Sequence, residues 1–125
     1  MLKKLKFIVL MVLGIGVIAS SYGHKNFDHI YNQCINHPKI MRERGIGFCQ
    51  STVGEYYYRD KNYVKTREWF IKAAKQNEPE SQYNLGAFYY NGYGVKRNQA
   101  TAKQWFTKSC KNGYKDACQV LKKYF

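Results

Sequence analysis

Four cysteines, Cys34, Cys49, Cys110 and Cys118, and three histidines, His24, His29 and His37, carry the widest chemical repertoire in this sequence. Thiols can pair, ligate a metal or act as nucleophiles, and imidazoles can ligate or move protons. A zinc site would draw on Cys34, His37 and Cys49, with His29 as fourth ligand, but that spacing matches no standard structural zinc pattern. No metal or cofactor is therefore expected. None of the histidines falls in a recognisable catalytic triad. The glycine pair Gly92-Tyr93-Gly94 lacks the preceding strand and following Lys-Ser/Thr of a phosphate cradle, so it is read as a turn.

The use of the cysteines depends on the compartment, which the N-terminus addresses. Lys3, Lys4 and Lys6 precede a 13-residue apolar run, Phe7 to Ala19, which ends in the small residues Ala19, Ser20 and Ser21. This is the layout of a cleaved secretory signal over residues 1–21, with cleavage near Ser21 to Gly23. The run is shorter than the ~20 residues of a spanning helix, so no stable membrane insertion is expected after cleavage. A periplasmic or secreted chain favours two disulfides among the four cysteines over free thiols.

Charge narrows the partners further. The chain carries 21 Lys and Arg against 8 Asp and Glu, a formal +13, and loss of the three signal lysines leaves +10. Such a balance speeds encounter with acidic proteins. No nucleic-acid motif is visible, and nucleic acid is excluded as a partner.

Positioning falls to an internal repeat. Trp69-Phe70 recurs as Trp105-Phe106 and Lys72 as Lys108 at a separation of 36, with Asn62 matching Asn98, Asn77 matching Gly113 and Leu85 matching Leu121. Asn before a helix accepts from free first-turn N–H groups, and Asn or Gly after it tolerates a left-handed backbone. These caps predict helices over 63–76 and 99–112. Tyr63, Thr66, Phe70, Ala73 and Ala74 on the first, and Ala102, Phe106, Ser109 and Cys110 on the second, recur at helical spacing and predict buried stripes. A second alignment pairs Val53-Gly54-Glu55-Tyr56-Tyr57 with Leu85-Gly86-Ala87-Phe88-Tyr89 at a separation of 32. Gly54 and Gly86 are expected at helix crossings, and the four-residue difference falls in a longer turn, Asn91 to Val95.

The run Leu85 to Val95, continued by Ala102, Trp105, Phe106, Lys108 and Gly113, resembles the signature of Sel-1-like repeats. Gly54, Thr66 and Ala73 make the first hairpin similar to a tetratricopeptide repeat. The ending Lys108 to Cys118 resembles the secreted cysteine-rich branch of the family, whose cysteines eight apart tie one helix to the next. The resemblance covers Cys49 to Phe125. It implies an all-α fold, a short α-solenoid of antiparallel helical hairpins. Its divisions would be an N-terminal helix and loop (22–48), a TPR-like repeat (49–80), a Sel-1-like repeat (81–116) and a closing helix (117–125). It also implies a Cys110–Cys118 bridge and, by analogy, a Cys34–Cys49 bridge tying a leading helix from Phe27 to Asn36 across a loop containing Pro38 and Gly45.

The resemblance further implies a non-catalytic, monomeric binder of an acidic protein partner, such as a periplasmic adaptor or an immunity protein. The family's groove positions fall on Glu55, Tyr58, Arg59, Tyr83, Ala87, Tyr90, Asn91, Gln119 and Lys123. The alternative it brings is a β-lactam-binding or β-lactam-hydrolysing enzyme. Against it, no serine here has a lysine three positions later, and Lys65-Thr66 is followed by Arg67 instead of the glycine of a Lys-Thr-Gly strand. No catalytic residue is assigned.

Overall fold

A computed structural model describes residues 25–125; the segment read as a secretory signal, its cleavage point and His24 lie outside the described residues. Seven helices and no strand occur among the described residues: α1 (Asp28–Ile35), α2 (Pro38–Glu43), α3 (Gly45–Arg59), α4 (Tyr63–Lys75), α5 (Pro79–Asn91), α6 (Gln99–Lys111) and α7 (Lys115–Tyr124). The all-α stack of antiparallel hairpins expected from the repeat is the observed architecture, with α3–α4 and α5–α6 as the hairpins.

The predicted caps set the helix limits. The Asn62 side chain accepts a hydrogen bond from the Lys65 N–H at 3.2 Å, and that of Asn98 accepts from Thr101 at 2.9 Å. Each satisfies one of the orphan donors of a first turn. Asn77 and Gly113, 36 residues apart, both take positive φ, 57° and 93°, and turn the chain into the next hairpin. Both second helices end one residue earlier than predicted, because Gln76 and Asn112 already have ψ values near 15° and 10° and serve as C-caps.

The buried stripes appear as expected. Thr66, Phe70, Ala73 and Ala74 are buried on α4, as are Ala102, Phe106 and Ser109 on α6, while Tyr63 and Cys110 are half-buried. Phe70, Ala74, Leu85 and Phe88 form a cluster that joins the two hairpins. Val53, Tyr57 and Trp69 gather Phe27, Ile30 and Tyr31 of the N-terminal segment around the first hairpin, and Ala102, Phe106 and Ala117 join the second to α7. Each large side chain removed from water in these clusters contributes roughly 1.5–3 kcal/mol.

Gly54 and Gly86 lie at the crossings. A Cβ on Gly54 would come within 2.6 Å of the Phe70 ring, and one on Gly86 within 2.7 Å of the Phe106 ring. The phenylalanine of each second helix therefore rests on the bare backbone of its own first helix.

The N-terminal segment departs from expectation in one element. The stretch read as a loop holding Pro38 and Gly45 is mostly helical, since Pro38 opens α2 and His37 Nδ1 accepts from the Ile40 N–H at 3.4 Å. Proline at the first helical position forgoes a donor that has no intrahelical partner, so it starts a helix as readily as it ends one. Cys34 and Cys49 are disulfide-bonded across this segment with Cα atoms 5.5 Å apart, and Cys110 and Cys118 are bonded with Cα atoms 4.8 Å apart. All four sulfurs are thereby used, and neither Cys34 nor Cys49 offers a thiolate to a metal.

Candidate partner-binding groove

The first helices of the hairpins and the closing helix flank two depressions. The upper one, about 240 Å³, is lined by Glu55 and Tyr58 of α3, Phe70 of α4, Asn84, Ala87 and Phe88 of α5, and Tyr93 of the following turn. The lower one, about 380 Å³, lies between Tyr83 of α5 and Asp116, Gln119, Val120, Lys123 and Tyr124 of α7. Helical spacing explains the composition, since Asn84, Ala87 and Asn91 repeat at three and four and share one face of α5.

Of the nine residues expected in the groove, Glu55, Tyr58 and Ala87 meet in the upper depression and Tyr83, Gln119 and Lys123 in the lower. The other three stand apart. The Arg59 guanidinium lies 5.7 Å from the Tyr56 ring centre, the Asn91 Nδ2 donates to the Ala87 carbonyl at 3.0 Å, and Tyr90 packs against Tyr124 and Phe125 with ring centres 6.0 and 6.1 Å apart. Tyr83 has a packing role as well, with ring contacts to Phe106 at 5.5 Å and Tyr114 at 5.1 Å. Tyr58, at 44% exposure, is the most exposed ring of the predicted set, although it also touches the Tyr63 and Phe88 rings.

Asn84, Tyr93, Asp116, Val120 and Tyr124 also line the depressions and lie outside the set expected from the sequence. Asn84 is one helical turn before Ala87, and Asp116 is one turn before Gln119, so extending the register by three would have found both. Tyr93 had been read only as part of the turn. Its ring folds back onto Tyr63 at 5.5 Å and Phe88 at 5.6 Å, and the Arg67 Nη1 donates to the carbonyl of Gly94 at 3.1 Å. A glycine is required there, because a Cβ on Gly94, at φ 59°, would lie 2.9 Å from the Cβ of Tyr63.

Electrostatics along the groove run against the net charge. Burial pushes the Glu80 carboxyl above its ordinary pKa, the negative charges of Glu78 and Glu55 add to this, and Arg44 opposes it. The Tyr114 hydroxyl is raised by burial and then by Glu80 and Asp116. Carboxylates from α3, the start of α5 and α7 therefore lie within electrostatic range of one another at this side of the molecule. Elsewhere, Tyr57 links the N-terminal segment to the first hairpin: its hydroxyl donates to Asp28 Oδ1 at 2.7 Å and accepts from the Phe27 N–H at 3.1 Å. The same Asp28 oxygen accepts from Trp69 Nε1 at 3.3 Å. Burial, followed by the hydrogen bond to Asp28, raises the pKa of Tyr57.

Aromatic walls, scattered amides and single charges in open depressions suit noncovalent contact with another chain. Comparison with known proteins gives the same architecture. The chain is 41% identical over 54 residues to the ERAD-associated E3 ubiquitin-protein ligase component HRD3B of Arabidopsis thaliana, a match covering 43% of this chain and 9% of that protein. It is 33% identical over 63 residues to the chitin synthase regulator SKT5 of Saccharomyces cerevisiae, covering 50% of this chain and 9% of the relative. Over 46 residues it is 33% identical to HcpC of Helicobacter pylori, a protein carrying a beta-lactamase name, covering 37% and 16%. The matches thus span less than a fifth of each relative's length. The Sel1 repeat family matches residues 53–78, the second half of α3 with α4, and residues 79–114, the α5–α6 hairpin with its following turn, and the chain belongs to the Sel1-repeat family.

Proposed function

We propose that the protein is a non-catalytic adaptor that binds a protein partner along the face formed by α3, α5 and α7, in the periplasm or outside the cell. The observation carrying this reading is the pair of aromatic-walled depressions between successive first helices. Sel1-repeat proteins generally act as protein-interaction adaptors, and two relatives are named as a component of a ligase and as a regulator of a synthase. Two disulfides and the N-terminal pattern of basic, apolar and small residues support export. Among binding roles, an immunity protein that neutralises a toxic effector fits a small exported chain of this kind. The net charge of the whole chain speeds encounter with an acidic partner, while the depressions themselves present both signs, Glu55 and Asp116 with Lys123.

The central contacts are Tyr83 and the more exposed Tyr58 and Tyr93 in the depressions, with Tyr90 beside them on its packed neighbours, and Arg59 and Lys123 stand at the edges. Tyrosine buries a large rigid ring at low entropy cost while keeping a polar end, which suits it to an interface. The test is kinetic binding to a partner captured from the exported fraction, at two salt concentrations, with thermal melts as a folding control. Tyr58→Ala and Tyr83→Ala are expected to speed dissociation and cost about 2 kcal/mol each. Lys123→Ala is expected mainly to slow association and flatten the salt dependence. Folded tyrosine variants that bind unchanged, while Lys72→Ala on the opposite helices abolishes binding, would overturn the assignment.

A further inference from the structure

The surplus positive charge is concentrated away from the groove. Residues 81–115 contain no Asp or Glu but six basic residues, Lys96, Arg97, Lys103, Lys108, Lys111 and Lys115. Between the ends of α4 and α6 a third recess, about 340 Å³, is lined by Lys75, Lys108 and Lys111 together with Ala74, Asn77, Gln82, Trp105 and Asn112. No carboxylate lines it. Among the described residues none of Lys75, Lys108 and Lys111 forms an ion pair, so the three ammonium groups meet no carboxylate there.

Helix C-termini attract lysines, and both α4 and α6 end here. Each helix end carries roughly half a negative charge. Two such ends offset about one of the three positive charges, and the recess stays positive.

The walls are also held in place. The Lys108 ammonium lies 4.8 Å from the centre of the Trp105 ring, which fixes it beside the indole. Gln82, 1% exposed, donates through Nε2 to the Ala74 carbonyl at 3.1 Å and accepts from Asn112 Nδ2 at 2.8 Å, so the amide floor is ordered before any ligand arrives.

We infer that this recess on the second helices is a docking site for an acidic polypeptide segment, with a partner Asp or Glu side chain seated among Lys75, Lys108 and Lys111. Charge complementarity selects the occupant. An anionic bilayer is the poorer match, because the lysines surround a concavity and none of the large exposed apolar side chains lies in its lining. The inference goes beyond the groove reading and does not depend on it, since the two surfaces share no residue.

The test uses the oxidised protein and a synthetic octaglutamate peptide, with an uncharged Gly-Ser peptide, inorganic phosphate and phosphatidylglycerol vesicles as separate arms. Nitrogen-15 correlation spectra resolve one indole N–H for each of the two tryptophans. Octaglutamate is expected to shift the Trp105 indole and the Asn112 side-chain amide while leaving the Trp69 indole in place. Lys108→Glu combined with Lys111→Glu is expected to weaken binding at least tenfold, and the corresponding Gln variants by less. These lysines are exposed, and unchanged melting confirms that the fold is retained. Tyr83→Ala is expected to leave peptide binding unaltered, which separates this site from the groove. Peptide binding insensitive to the lysine changes, or shifts at Trp69 equal to those at Trp105, would overturn the proposal, as would vesicles or phosphate binding in preference to the peptide.

Discussion

The two hairpins share their crossings and differ in their turns. In both, a glycine on the first helix makes room for the ring of a phenylalanine from the second, and a Trp-Phe-x-Lys sequence sets a lysine over an indole at 4.1 Å in the first hairpin and 4.8 Å in the second. The first turn closes in three residues, with Lys61 at φ 58°, whereas the second runs from Gly92 to Asn98. The extra length is not slack, because Tyr93 and Gly94 return to α4 and fasten the second hairpin to the first. The tryptophans diverge too. Trp69 is 7% exposed and hydrogen-bonded to Asp28, while Trp105 is half-buried beside the basic recess. A repeat therefore conserves what closes each hairpin on itself, and its irregularities build what joins one hairpin to the next.

The largest expected effect tests the shared part. Gly54→Val and Gly86→Val should each destabilise by about 3 kcal/mol, because the added side chain overlaps a buried ring that has no room to retreat. Urea denaturation measures this, and losses differing by more than about 1 kcal/mol would show that the two crossings are not equivalent. A smaller effect tests the difference: Tyr93→Ala should lose about 1–1.5 kcal/mol with its two ring contacts, to Tyr63 and Phe88. Faster amide exchange should then appear in residues 92–98 and at the start of α4 but not at the first turn. Equal exchange at both turns would mean that the longer turn is not the fastener described above.

The smallest effect concerns Glu80 in the first turn of α5. Its carboxyl is raised in the fold, so the folded state holds the proton more tightly than the unfolded chain. That contribution is fully present below the unfolded pKa and is lost as pH rises through the folded value. Glu80→Gln should therefore stabilise at neutral pH by less than about 1 kcal/mol, as solvent screens an exposed side chain. The gain should vanish as pH falls below the ordinary glutamate range, which thermal melts across the acid range will show.

Much of this was legible in the sequence because it rests on residues that recur. Asn62 and Asn98 mark helix starts, Asn77 and Gly113 mark the exits, and Gly54 and Gly86 mark the crossings, each through a local requirement that few other residues meet. What depends on contacts between unlike segments was not legible. Helix α2 has six residues, too short to be stable alone, and it forms within a stretch closed by the Cys34–Cys49 bridge. Asp28 gives no periodic signal, yet it holds both Tyr57 and Trp69. The candidate groove was legible in register, and six of its nine expected residues line the depressions. How far Tyr83 and Tyr90 are occupied with their neighbours depends on Tyr114, Tyr124 and Phe125, in and flanking α7, which no spacing rule connects to α5.

The Cys34–Cys49 bridge has a consequence for survival among proteases. Lys39, Arg42 and Arg44 are exposed tryptic sites, and all three lie inside the 15-residue interval that the bridge closes. A cut at any of them opens the chain without releasing a fragment, since α1 stays covalently attached to α3. Such a nick would be invisible on a denaturing gel until reductant was added, and the cleaved molecule would keep Asp28 close enough to Tyr57 and Trp69 to close again around the wound.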